Sequence, residues 1–157
     1  MKQCSWLKGL AAVLMLAMAC PVHAGRSLFA RIGGEATLRA TIEQFTAIIL
    51  ADDRINFTFA EANLDKFKEL LFEQICEITG GPCSYTGRDM HTAHAKLNLT
   101  NAQFNALTED LYRAFDREHV PYRLQNQVIS LLAPMQRDIV KPGFVAPGTE
   151  PPPRNVR

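Results

Sequence analysis

His91 and His94 lie three residues apart in "GRDMHTAHAKLNLT", residues 87–100. Imidazole is the commonest metal-binding side chain. A step of three residues turns an α-helix by about 300°, so the two side chains point about 60° apart. They can share a helix face and grip one metal ion. They can both be solvated surface groups. Or one can bind the iron of a haem while the other faces water, since a proximal haem histidine needs to be only one protein ligand on the iron. A zinc site fits worst: it asks for about three or four ligands, the spacing matches no zinc signature, and H-E-x-x-H is absent. Composition does not choose between the other two readings.

The elements that must position these histidines read as helical. "EATLRATIEQFTAIILADD" lacks Gly and Pro, and its Leu38, Ile42, Phe45 and Ile49 recur at helical spacing. "NLDKFKELLFEQICEITGG" opens on Asn63, a good N-cap, and stops at Gly80–Gly81. Its Phe67, Leu70, Leu71, Gln74, Ile75 and Ile78 occupy neighbouring faces. "TNAQFNALTEDLYRAFDREH" opens with Thr100 and Gln103 in capping-box spacing. Its stripe is Phe104, Leu107, Leu111, Ala114 and Phe115. The last pattern, "VPYRLQNQVISLLAPMQRDIV", has Pro121 at its first turn and is kinked or ended early by Pro134. No stretch alternates like a strand. The expected fold is all-α, with four substantial helices and a short one over residues 89–95. The segment "GGPCSYTGRD" before it is rich in turn formers, so both histidines ride on a short helix just after a loop.

Both ends fall outside this unit. "MKQCSWLKGL" is a short basic start, "LAAVLMLAMAC" an apolar run, and "VHA" ends in a small residue. That layout predicts a secretory signal peptide, residues 1–24, cut after Ala24; a lipidated Cys20 is the lesser variant. The tail, 141–157, holds five of the nine prolines and is expected to stay disordered. The folded domain is then about 26–140, in a periplasmic or secreted protein. Cleavage leaves 15 basic and 16 acidic residues, a near-neutral balance that argues against nucleic acid as a partner. No membrane contact is expected after cleavage. Two cysteines remain, Cys76 and Cys83. In an exported chain they are expected to pair, which would pin the loop leading to His94.

From about Ser27 to Val140 the chain resembles the truncated haemoglobins, specifically their first group. "LFARIGGEATLRATIEQF" is similar to that family's opening, with Gly33–Gly34 between the first two helices. "ILADDRI" followed by Phe59 resembles the next helix end and a haem-packing phenylalanine. "GGPCSYTGRDMHTAHAKLNLT" resembles the most distinctive segment, with Gly-Gly-Pro, Tyr-Thr-Gly, Met and the proximal histidine in order. "LLAPMQRDIV" resembles the ending. The resemblance implies a truncated (2-over-2) globin-like fold, haem b as cofactor, and His94 as the iron ligand with His91 exposed. It further implies Phe59 packing on the haem, Tyr85 near its edge, and Lys68 reaching a propionate, with Lys96 a weaker candidate.

The distal side departs from the family pattern. Thr46 stands where the family often has a tyrosine, and Phe67 and Leu71 stand at the two inward positions of the third helix, where glutamine is common. Gln74 lies a turn further on. Dioxygen at a haem iron draws negative charge and gains from a donor worth about 0.5–1.5 kcal/mol, more with charge. An apolar pocket therefore implies faster oxygen release. A deprotonated Lys68, its pKa lowered by burial, is a conceivable ligand to ferric iron. The expected function is binding of a diatomic gas (O2, NO or CO), for oxygen binding or transport, sensing, or NO dioxygenation with an unidentified reductase as electron donor. Two alternatives are a peroxidase-like or redox-sensing haem protein and a helical binding module without haem. A peroxidase usually wants a distal acid–base group, which Phe67 and Leu71 do not supply.

Overall fold

A computed structural model describes residues 25–141. The segment read as a signal peptide and nearly all of the proline-rich tail lie outside the described residues. Helices α1 (Leu28–Arg31) and α2 (Gly34–Ala51) are followed by a 3-10 turn (Asn56–Phe59) and α3 (Leu64–Ile78). Then come α4 (Met90–His94), α5 (Asn101–Arg117), α6 (Tyr122–Leu132), a second 3-10 turn (Ala133–Met135) and α7 (Gln136–Ile139). Among the described residues there is no strand, only an isolated bridge between Leu99 and Val140. None of these helices is long and apolar enough to cross a membrane.

Local chemistry sets the helix ends. Gly33 has φ +111° and Gly34 φ +69°, a left-handed corner that L side chains resist, and it separates α1 from α2. The Asn63 carboxamide oxygen accepts from the Lys66 N–H at 2.9 Å and starts α3. At the far end Gly80 takes φ +78°. Thr100 and Gln103 form the reciprocal capping box that opens α5. Pro134 ends the regular α6 ladder at Leu132, and the 3-10 turn resets the register before α7. Leu131, in the last turn of α6, is 41% exposed.

α2 is the spine. Its Leu38, Ile42, Phe45 and Ile49 are buried against Ile75 and Cys76 of α3, Leu111, Ala114 and Phe115 of α5, and Val128 of α6. Fully burying such a side chain is worth about 1.5–3 kcal/mol. The apolar face of α3 divides in two. Phe72, Ile75 and Cys76 are buried, whereas Phe67, Leu70, Leu71 and Gln74 are only half-buried. Phe59, Phe104 and Leu107 are half-buried as well. So much apolar surface left incompletely covered in one region is the informative kind of exposure.

Cys76 and Cys83 are bonded, with their Cα atoms 5.7 Å apart. The bond closes a short loop from the end of α3 across the Gly80–Gly81 turn. On the chain-entropy account a loop of about eight residues gives about 2.5 kcal/mol.

Candidate functional site

Asp89 caps α4 through its carboxylate, which accepts from the Thr92 N–H at 2.9 Å, and this one-turn helix carries both histidines. His91 is exposed and His94 half-buried. The Nδ1 of His94 lies 2.8 Å from the Met90 carbonyl oxygen. A carbonyl can only accept, so Nδ1 carries the proton. In the neutral ring Nε2 then presents a free lone pair, the form that binds a metal. A backbone carbonyl on the far nitrogen is the usual means of orienting a ligating imidazole.

What His94 faces follows from two stripes. Met90 and His94 are four apart and share one side of α4. Phe67, Leu71 and Gln74 share one side of α3 for the same reason. The stripes meet at one end: the Gln74 amide nitrogen is 3.2 Å from the Met90 Sδ and 3.6 Å from the Met135 Sδ. The half-buried apolar row of α3 therefore adjoins α4 at its Gln74 end. The row continues in aromatic contact. Phe67 and Phe59 pack edge to face at 5.3 Å, and Phe67 and Phe45 lie 6.4 Å apart, tilted. One imidazole with its Nε2 lone pair free, on a helix that joins the half-buried row of Phe67 and Leu71 through the Gln74–Met90 contact, fits a flat apolar group held by a single histidine nitrogen.

The remaining expected residues are engaged in specific ways. Thr46 is buried, and its hydroxyl donates to the Ile42 carbonyl of its own helix at 2.8 Å. Its hydroxyl proton is thus already committed within α2. Gln74 gives its amide to two thioethers, which are weak acceptors. Tyr85 is half-buried, and its phenol donates to the Arg88 carbonyl at 2.8 Å. Gly87 is required here because a side chain would run into the Tyr85 ring. Burial pushes the Tyr85 hydroxyl pKa up.

Lys68 does not behave as a buried free amine. Its ammonium is 3.0 Å from Glu43 and 3.4 Å from Asp65. The hydrogen bond to Glu43 raises its pKa despite desolvation. That direction is opposite to the lowering a free-base iron ligand requires. Lys96 is exposed.

Two features escaped the sequence reading. Met90 and Met135 flank Gln74; the one available signal was that Met90 precedes His94 by one turn. The second is an ion cluster joining the end of α2 to α5. Arg54 binds Asp52 at 2.7 Å and Glu109 at 2.7 Å, and Arg113 binds Asp110 at 2.8 Å. The Arg54 guanidinium draws the Asp52 pKa down to about 2. Asp110 is fully buried with one carboxyl oxygen unpartnered. Burial, then the Asp52 charge, raises its pKa. An open depression of about 510 Å³ adjoins this cluster, lined by Asp52, Arg54, Arg113 and Arg117 among others, and none of the expected site residues borders it. Most of its charges are engaged in ion pairs between the end of α2 and α5, which makes it chiefly a structural seam.

Comparison with known proteins bears on the fold and the family. A group 1 truncated hemoglobin of Tetrahymena thermophila is 33% identical over 54% of this chain and 70% of its own length. One from Mycolicibacterium paratuberculosis is 28% identical over 72% of this chain and 83% of its own. Among solved structures, the truncated hemoglobin of Tetrahymena pyriformis in its Fe(III) form superposes with a TM-score of 0.71 at 25% identity, covering 73% of this chain and 98% of that one. The 2/2 hemoglobin of a Synechococcus species, with covalently attached heme, gives 0.69 at 26% identity, covering 73% and 98%. The fold is thus the truncated 2-over-2 arrangement expected from the sequence. With residues 27–141 matching the family throughout, the chain belongs to the bacterial-like globins.

Proposed function

We propose that this protein holds haem b through His94 Nε2 and binds a diatomic gas on the opposite side of the iron. One observation carries the reading: the His94 Nδ1–H donates to the Met90 carbonyl and so leaves the Nε2 lone pair free, on a helix that meets the half-buried apolar row of α3 at Gln74. The haem, when bound, supplies an iron that takes a diatomic ligand. The chain's residues supply the axial nitrogen, its orientation, and a dry surround. The wall of Phe67 and Leu71 offers no hydrogen-bond donor, and Thr46 directs its hydroxyl to Ile42. Without a donor, dioxygen loses the stabilisation of a charge-assisted hydrogen bond, whereas carbon monoxide and nitric oxide depend on it less. We therefore assign the site to NO or CO handling, or to rapid oxygen exchange, in preference to oxygen storage. The disulfide and the basic–apolar leader in the sequence support an exported, periplasmic or secreted location. Any turnover of NO draws electrons from a separate reductase.

The test is a haemin titration followed by absorbance, with His94→Ala and His91→Ala alongside. The expected result is a saturable one-to-one Soret band that His94→Ala weakens or shifts and His91→Ala leaves unchanged. A band indifferent to His94 refutes the assignment of the ligand.

A further inference from the structure

Consecutive residues of α3 hold the segment that leads to His94. Glu73 accepts from the Thr86 N–H at 2.8 Å and from the Thr86 hydroxyl at 2.7 Å. Gln74 reaches the Met90 sulfur at 3.2 Å. Cys76 is bonded to Cys83, and Glu77 accepts from the Tyr85 N–H at 3.3 Å. Residues 73, 74, 76 and 77 thus form a rail along the last turns of α3, and residues 83–90 are fastened to it. The fastening matters because α4 has little support of its own. It is five residues long, well below the length at which a helix is stable in water unaided. From Thr86 the path to the imidazole is short. Tyr85 closes on the Arg88 carbonyl, Asp89 caps α4, and Met90 supplies the carbonyl that orients His94.

Of these contacts only Glu73 places two charge-assisted bonds on a single loop residue, one to backbone and one to side chain. Bonds of this kind are roughly twice as strong as neutral ones and are directional. The two Thr86 donors also pull the Glu73 carboxyl below its ordinary pKa, so it stays ionised and fixed at neutral pH.

We propose that Glu73 is a positioning residue for the iron ligand: through Thr86 it fixes the loop that sets where His94 Nε2 stands, with the Cys76–Cys83 bond as the second fastening. The proposal rests on His94 being the ligand. Glu73 touches neither haem nor gas; it acts by limiting how far α4 can shift. Outer partners that orient a metal ligand typically govern affinity by 10–100-fold.

The experiment compares Glu73→Ala, Glu73→Gln and Glu69→Ala in the haemin-loaded chain. Glu69 is on the same helix and pairs instead with Arg39, so it reports the general cost of removing a carboxylate from α3. Three quantities are read: the rate of haem transfer to an excess of a tight-binding apoprotein acceptor, the iron–histidine stretching band after reduction to the ferrous, ligand-free form, and amide hydrogen exchange over residues 83–95 in the haem-free chain. Glu73→Ala is expected to speed haem loss about 10-fold, shift or broaden the band, and accelerate exchange in 83–95. Glu73→Gln keeps an acceptor oxygen but loses the charge, and should fall between the parent and Glu73→Ala in all three. Glu69→Ala should change none of them. The proposal is overturned if Glu73→Ala matches Glu69→Ala, or if it lowers only global stability while the band and the local exchange stay put. His94→Ala separates the two levels of argument. If the iron–histidine band survives that change, the ligand assignment falls and the positioning role with it. If the band vanishes there yet is untouched in Glu73→Ala, only the positioning role fails.

Discussion

Phe67→Gln puts a hydrogen-bond donor into a wall that has none, and its two consequences have opposite signs. Phe67 packs edge to face on Phe59 at 5.3 Å and lies 6.4 Å from Phe45. Each aromatic pair is worth about 0.5–1.5 kcal/mol beyond area burial. Losing both should destabilise the fold by about 1–3 kcal/mol. The amide can then donate to dioxygen at the iron. A hydrogen bond to a charge-bearing acceptor contributes about 1.5–3 kcal/mol, which corresponds to about 10–100-fold slower oxygen dissociation. Carbon monoxide carries little charge, so its dissociation should change by no more than about twofold. The assay is stopped-flow ligand replacement on the haemin-loaded, reduced protein, with a urea melt to measure the destabilisation. Equal slowing for both gases would mean that residue 67 acts as a steric gate. A parent protein that already releases oxygen as slowly as the variant would refute the donor-free pocket.

Three further outcomes follow from particular contacts. Thr46→Val removes a hydroxyl already bonded to the Ile42 carbonyl; oxygen dissociation should change by less than about twofold and stability by about 1 kcal/mol or less, read by the same two assays. Reducing Cys76–Cys83, or replacing both with serine, should cost about 2.5 kcal/mol on the chain-entropy account and lower Tm by about 10 °C in a calorimetric melt. Asp110 has its folded pKa raised by burial, so its contribution to stability is complete below the unfolded carboxyl value and is lost as pH rises through the folded value. Asp110→Asn should flatten that fall in a denaturant series from pH 4 to pH 8, whereas a slope equal to the parent's would mean Asp110 is not the group responsible.

The helices were legible in the sequence because each carries a local code. The 3.6-residue recurrence of Leu38, Ile42, Phe45 and Ile49, the Asn63 cap, the Thr100–Gln103 box and the break at Pro134 act within a few residues, and the fold obeys them. The choice of His94 over His91 was also open to the sequence, but only through resemblance. Helical spacing alone leaves two imidazoles 60° apart. Which one turns inward was decided by packing, which leaves His91 exposed and His94 half-buried and bonded to the Met90 carbonyl.

Polar partners were beyond the sequence's reach, because they join residues distant along the chain. Lys68 read as a cation reaching a haem propionate or, once deprotonated, as a ligand to ferric iron; its pairing with Glu43 spans 25 positions and exists only because α2 and α3 pack side by side. Gln74 read only as lying a turn beyond the inward positions of α3; its amide meets the sulfur of Met135, 61 positions away. The clip from Glu73 to Thr86 depends on the Gly80–Gly81 turn folding the loop back along α3. Sequence therefore determined which segments are helical and which residues are apolar, since those are local properties of the chain. Tertiary structure decided which polar groups remain unengaged, since a hydrogen bond or ion pair depends on where two distant segments meet.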